Sequence, residues 1–264
     1  MSAPATAGSR GATAARGARG GSTPSAGAAD ASPGVPELLA ALEAVRDPEL
    51  DEPITSLGFV TSCHVSAAGD AQIRLRLPTY FCAPNFAFLM VADAYDAATA
   101  VPGVRDAEIV LEDHFAADAI NGGVAAQAGF AATFDGEAVG ELDGLRADFL
   151  RKAVLAGTDQ VCRPLLAAGT DPARLLQLTL GEVPDSPPLR RLRERRAELG
   201  LAAGDDAPLL IDPKTGRPVD PGSLPLHLRT AKLTRTSLEA NGSICRGMLR
   251  HRYDTPGQGE EEQP

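Results

Sequence analysis

The chain contains no tryptophan, and aromatic residues make up only 4% of it. A platform that stacks unpaired bases needs several rings, so that mode of nucleic-acid binding is disfavoured. Positive charge is also in deficit. Lys and Arg number 25 against 35 Asp and Glu, a formal net charge of −10, which argues against a nucleic acid or an anionic membrane surface as partner. No apolar run approaches the ~20 residues that cross a bilayer. Four cysteines are scattered over 264 residues, which does not suit a disulfide-dense secreted scaffold. There is no C-x-x-C pair, no H-E-x-x-H helix, no phosphate loop, no dinucleotide fingerprint and no hydrolase elbow. A water-soluble chain working in the cytoplasm is the expectation.

Residues 1–34 are almost all Ala, Gly, Ser, Thr and Pro, with Arg10, Arg16 and Arg19 but no Leu, Ile, Val or aromatic. Such a segment cannot bury enough to offset its ordering entropy, so a disordered tail is expected. A transit peptide is the rival reading, weakened by the lack of large apolar residues for one helix face. Order is expected from Pro36, which suits a first helical turn. Leu38, Leu39, Leu42 and Val45 continue at helical spacing, and Pro48 predicts a helix end at Arg46 or Asp47. Residues 47–57 read as an acidic loop. Phe59–Val65 reads as a strand and Ala68-Gly69-Asp70 as a turn. In the next strand Ile73, Leu75 and Leu77 alternate with polar residues. A loop from Leu77 to Pro84, an apolar helix over 85–99 and a strand from Val104 to Leu111 complete an α-β-β-α-β order.

The remainder reads as mostly helical. Gly122-Gly123 weakens any helix within 114–130. Helices are expected over 143–156, 159–168, 171–180, 187–199 and 228–240, with Asp171-Pro172 placed as N-cap and N1. Residues 204–227 read as loop, and 256–264 as a solvated acidic tail. The fold expectation is thus α+β: a small domain at 36–113, then a helical extension over 114–255.

Cys82 is the leading candidate for chemistry. It lies between a strand and a helix start, where free amides and the helix dipole favour a thiolate, the form that binds metal or attacks an electrophile. A small buried cysteine packed as a hydrophobe is the rival reading. Asp47, Pro48 and Glu49 place two carboxylates beside a rigid proline, as oxygen ligands, as a hydrogen-bond network near Cys82, or as a plain acidic turn. His114, after Glu112-Asp113, is a candidate ligand or proton carrier, or a solvated strand end. Cys245, in a Gly-rich basic stretch near His251, reads as a thiol of lowered pKa or as a flexible terminal cysteine. A site joining it to Cys82 stays open. Cys63 and His64 are adjacent in a strand and so face opposite ways. Cys162 sits in an apolar helical stretch and reads as core. Arg190, Arg191, Arg193, Arg195 and Arg196 form a basic helix, either a solvated face or a dock for an acidic partner.

Taken together, Asp47, Pro48, Glu49, Leu57, Gly58, Val60, Thr79, Cys82 and Pro84 resemble the SufT/PaaD-type iron–sulfur cluster assembly domain. That family reads V-x-D-P-E, then D-L-G-L/I-V, then a hairpin and a T…C-P loop before a helix. The likeness spans roughly residues 36–113. It departs at Ser56, where the family has Asp, and at Ala83, which splits the Cys-Pro pair. The resemblance implies a non-enzymatic accessory protein that assists assembly or transfer of iron or an iron–sulfur cluster, held transiently. Cys82 would be the metal-contacting or transfer thiolate. Asp47, Pro48, Glu49, Gly58, Thr79 and Pro84 would shape its loop. The implied partner is a client metalloprotein, with a di-iron monooxygenase favoured because long family versions resemble accessory proteins of such enzymes. A homodimer is a further option. Two alternatives remain: a metal-free folding chaperone or scaffold for a multicomponent oxygenase, and a thiol enzyme with Cys82 as nucleophile, which needs a base within reach.

Overall fold

Helix α1, Val35–Leu42, opens the computed structural model, which describes residues 34–134 and 142–253. The expected tails at 1–34 and 256–264 fall outside those residues, apart from Gly34. Pro36 sits in the first turn of α1, and Leu38 and Leu42 are buried. The helix does not reach Arg46 or Asp47. The amides of Glu43, Ala44 and Val45 bond three residues back, which tightens and ends the helix. Arg46–Asp47 (β1) then pairs antiparallel with Glu52–Pro53 (β2). The extended backbone favoured before Pro48 is thus used in a two-residue ladder.

Val60–Val65 (β3), Asp70–Arg76 (β4) and Asp106–Glu112 (β5) form one sheet in the order β3-β4-β5. The first pair is antiparallel and the second parallel. The parallel pair needs a crossover, supplied by α2, Pro84–Thr99. Ala71, Ile73 and Leu75 of β4 and Ala107, Ile109 and Leu111 of β5 are all buried, as the alternation predicts. Their neighbours pair across the other face: Gln72 with Glu108, and Arg74 and Arg76 with Glu112. The α+β expectation holds, with a helical region following it.

Helix α3, Ala117–Ala125, runs through Gly122 and Gly123 despite their low propensity. A Cβ on Gly123 would lie 2.0 Å from Thr133 Oγ1. The bare backbone is therefore what lets α4, Gly129–Thr133, fold back against α3. Two further helices expected over 143–156 and 159–168 are one, α5, Asp143–Ala167. At the expected break, Gly157 faces Leu192 and Thr158 returns its hydroxyl to Val154 O at 2.8 Å. Residues 171–180 form no α-helix; they give short 3₁₀ turns, the first capped by the Asp171 carboxylate on Ala173 N.

Helix α6, Pro187–Glu198, is capped by Ser186. Its arginines are not a free basic face. Arg196 is 0% exposed and donates to Pro208 O and Leu209 O. Arg195 is buried between Asp51 and Glu198. Arg193 pairs with Asp205, and Arg190 with Asp185. The last helix, α7, covers Leu224–Tyr253 rather than 228–240.

Two hydrophobic clusters result. The first is built by α1, the sheet, α2 and α3; the second by α5, α6, Leu175, Leu180, Leu209, Leu210 and Leu224. The long helices α5 and α7 pack on each other. Among the described residues, no helix is long and apolar enough to cross a membrane.

Candidate functional site

Cys82 closes a loop that starts where β4 ends. Leu77 anchors the loop in the core, and Thr79 O accepts from Cys82 N at 3.5 Å. The Thr79 hydroxyl lies 3.3 Å from Cys82 Sγ. Pro84 opens α2, with its missing N–H at a position where none is needed. Ala83, the residue that splits the Cys-Pro pair, occupies the N-cap with an extended ψ of 128°. Cys82 is half-buried at the rim of the first cluster.

His114 holds this loop from behind. Its ring is only 5% exposed. Ala116 N donates to Nδ1 at 3.2 Å, so Nε2 carries the proton and donates to Cys82 O at 2.7 Å. Burial holds the imidazole below its usual pKa. Both nitrogens serve the backbone, and the ring in this arrangement offers no lone pair to a metal or a thiol. Phe115 N also donates to Tyr80 O at 3.1 Å, a second tie between the post-β5 segment and the loop.

Asp47 organises the neighbouring turn. Its Oδ1 accepts from Glu49 N and Leu50 N, both at 2.9 Å. The carboxylate is 8% exposed, and desolvation pushes its pKa up to about 6 in spite of those two amides. The folded value lies above the unfolded 3.8, so the fold binds this proton more tightly than the unfolded chain does. The group therefore opposes folding above about pH 6, and that cost fades as pH falls towards 3.8. Two pKa units correspond to roughly 3 kcal/mol. Asp47→Asn keeps the Oδ1 acceptor and removes the charge. It is expected to raise thermal stability at neutral pH, with the gain shrinking below pH 5. Melting curves at the two pH values check this; a gain that is equal at both refutes the assignment.

Gly58 has φ +78°, where other residues are strained, and Leu249 lies 3.4 Å from where a Cβ would sit. Ser56, which departs from the family pattern, donates its hydroxyl to Pro53 O at 2.9 Å and so braces the same turn.

No local pattern predicts that α7 reaches this region, yet its last three turns lie across it. Arg246 bonds Glu52 at 2.6 Å. Arg252 reaches Leu77 O and Asp113 O, and Tyr253 donates to Asp113 at 2.9 Å. Cys245 is thereby half-buried against the first cluster, like Cys82. Its thiol is not of lowered pKa. Burial first, and then the negative charges of Asp47, Cys82 and Glu49, push its thiol up to about 11. The structure seats both Cys82 and Cys245 at the edge of the first cluster, which also takes in Cys63. It places Cys162 apart, in the second cluster, and leaves His64 exposed on β3. Among the described residues, no three of His, Cys, Asp and Glu converge closely enough to enclose a metal ion.

One feature escaped the sequence reading. Tyr80, Phe81 and Phe115 are exposed, Phe81 by 76%, and their rings gather with centroids 5.0–6.4 Å apart. In a chain this poor in aromatics, a Tyr-Phe pair directly before Cys82 was the available signal.

No curated protein and no solved structure matches the chain. Residues 36–111, from α1 to the end of β5 and so including the Asp47 turn and the Cys82 loop, match the family model described as iron–sulfur cluster assembly protein, with the helical region lying beyond the match.

Proposed function

We propose that this protein is an accessory factor that carries iron or an iron–sulfur cluster to a client metalloprotein, with Cys82 as the contacting thiolate. The observation that carries the reading is the placement of Cys82. Its sulfur stands at the rim rather than in the core, its carbonyl is fixed by His114, and exposed aromatic rings flank it. A rim thiol can be shared between two proteins, and a sparse ligand set suits cargo that must leave again. The aromatic rings supply apolar contact area that a client can cover. A di-iron monooxygenase is the proposed client, with the helical region contributing to its recognition.

Anaerobic reconstitution with iron and sulfide tests the carrier role. Wild type is expected to retain iron and visible absorption. Cys82→Ser is expected to retain at least about tenfold less, since removing even a supporting residue of a metal site has effects of that size. If neither protein retains iron while both activate an oxygenase client, the protein is a metal-free scaffold instead.

A further inference from the structure

The last turns of α7 and the turn that leads into β3 enclose a groove of about 550 Å³. Arg76, Arg246 and Arg250 line it, and no Asp or Glu does, in a chain whose net charge is −10. Its apolar lining comes from Leu57, Val60 and Leu249. Arg246, Leu249, Arg250 and Tyr253 recur at three- and four-residue spacing, so they share one face of α7. That face is held in place at both ends. Leu249 lies 3.4 Å from where a Cβ on Gly58 would sit, and Tyr253 donates to Asp113 at 2.9 Å.

The arginines are positioned without being saturated. Arg76 engages Glu112 through Nε at 2.9 Å, and its guanidinium carbon sits 5.0 Å from the centre of the Tyr253 ring. Arg246 engages Glu52 through Nη1 at 2.6 Å. Glu112 and Glu52 do not line the groove, so they orient two guanidinium groups and leave their remaining N–H donors for another acceptor. The Arg250 side chain is exposed and has no hydrogen bond or ion pair among the described residues. Ser56, also in the lining, stands where the family pattern has Asp, and its neutral hydroxyl keeps a carboxylate out of the groove. We infer that this groove binds an acidic segment of a partner protein, one in which carboxylates alternate with aliphatic side chains. The carboxylates would meet the three arginines, and the aliphatic groups would cover Leu57, Val60 and Leu249. A polyphosphate would leave that apolar strip uncovered, and nucleic-acid bases would find a single ring, Tyr253, already beneath Arg76. The inference rests on the carrier reading only in taking the partner to be the client; the binding itself does not involve Cys82.

A fluorescein-labelled peptide of alternating Glu and Leu is the probe, titrated against the full-length chain and read by anisotropy. Saturable binding is expected, and it should weaken as salt rises from about 0.05 M to about 0.5 M. Arg250→Glu and Ser56→Asp change exposed side chains. Each is expected to weaken binding about fivefold while the melting temperature stays that of wild type. Replacing Leu by Ser in the peptide is expected to cost about tenfold or more. Cys82→Ser is expected to bind as wild type does, so this titration and the iron reconstitution fail independently. No saturable binding, or binding that ignores both Arg250→Glu and Ser56→Asp, overturns the site. Equal binding of the Ser-containing peptide, or equal competition by an oligothymidylate, would mark a general polyanion surface and overturn the peptide reading. A chain ending at Tyr253 that binds about tenfold tighter would make residues 254–264, with Glu260, Glu261 and Glu262, the occupant in place of a partner.

Discussion

His114→Ala is expected to destabilise the protein by about 3–4 kcal/mol, close to the loss when a large buried group and its hydrogen bonds go together. The substitution leaves a cavity beneath the Cys82 loop and strips two backbone groups, Cys82 O and Ala116 N, of their partners. Urea denaturation measures the energy. A second readout separates anchoring of the loop from general stability. With its carbonyl released, Cys82 is expected to react several-fold faster with a maleimide under conditions where the variant remains folded. An unchanged rate would mean that His114 only fills space. The pH dependence has a defined sign. The folded pKa lies below the unfolded 6.5, so the stabilisation is fully present above about 6.5 and declines as pH falls below it. Asp47 acts with the opposite sign, so the two partly offset each other under mildly acidic conditions, and removing either should unmask the other.

Arg196→Ala is expected to cost about 3–5 kcal/mol and to loosen the second cluster before the first. Arg196 is wholly buried, and its guanidinium donates to two carbonyls, Pro208 O at 2.8 Å and Leu209 O at 2.6 Å. No carboxylate pairs with it among the described residues, and desolvation pulls its pKa down to about 10. Removing it orphans both carbonyls and opens a void among Cys162, Leu192 and Leu209. Arg196→Met restores the volume and avoids burying a charge, so it is expected to recover part of the loss. Hydrogen exchange is the discriminating measurement. Amides of α6 and of residues 207–211 should lose protection first, while those of β4 and β5 keep theirs. Uniform loss across both regions would mean the two clusters unfold as one.

The sheet was legible because a half-buried strand advertises itself with a period of two; Ile73, Leu75, Ile109 and Leu111 all point where the alternation puts them. The Cys82 loop was legible for a different reason, since a proline and a cysteine at a strand-to-helix junction are local signals. The errors share one cause. Gly122-Gly123 read as weakening any helix, and the expected helices stopped short of Gly157 and Gly242, yet Gly123 admits the Thr133 side chain and Gly242 admits Glu52. A propensity cost of about 1 kcal/mol per glycine is overridden when packing supplies more. The arginines of α6 read as solvated because their partners, Asp51, Asp205 and two carbonyls, lie far away in sequence or carry no side-chain signal at all. The role of His114 was hidden in the same way, because it bonds backbone. The docking of Cys245 and Leu249 on the first cluster is a long-range result of how α7 crosses both clusters, and nothing local encodes it.

That crossing has a consequence for the order in which the molecule is made. The strands and α2 that build the Cys82 loop leave the ribosome early and hold most of the first hydrophobic cluster among themselves. The turns of α7 that carry Cys245, Arg246 and Tyr253 are synthesised only after α5, on which the helix packs. During synthesis, the segments that carry Cys82 and its flanking aromatic rings are therefore complete before residues 246–253 can pack beside them. A nascent chain that stops before the end of α7 therefore lacks the ties that Arg252 and Tyr253 make to Leu77 and Asp113.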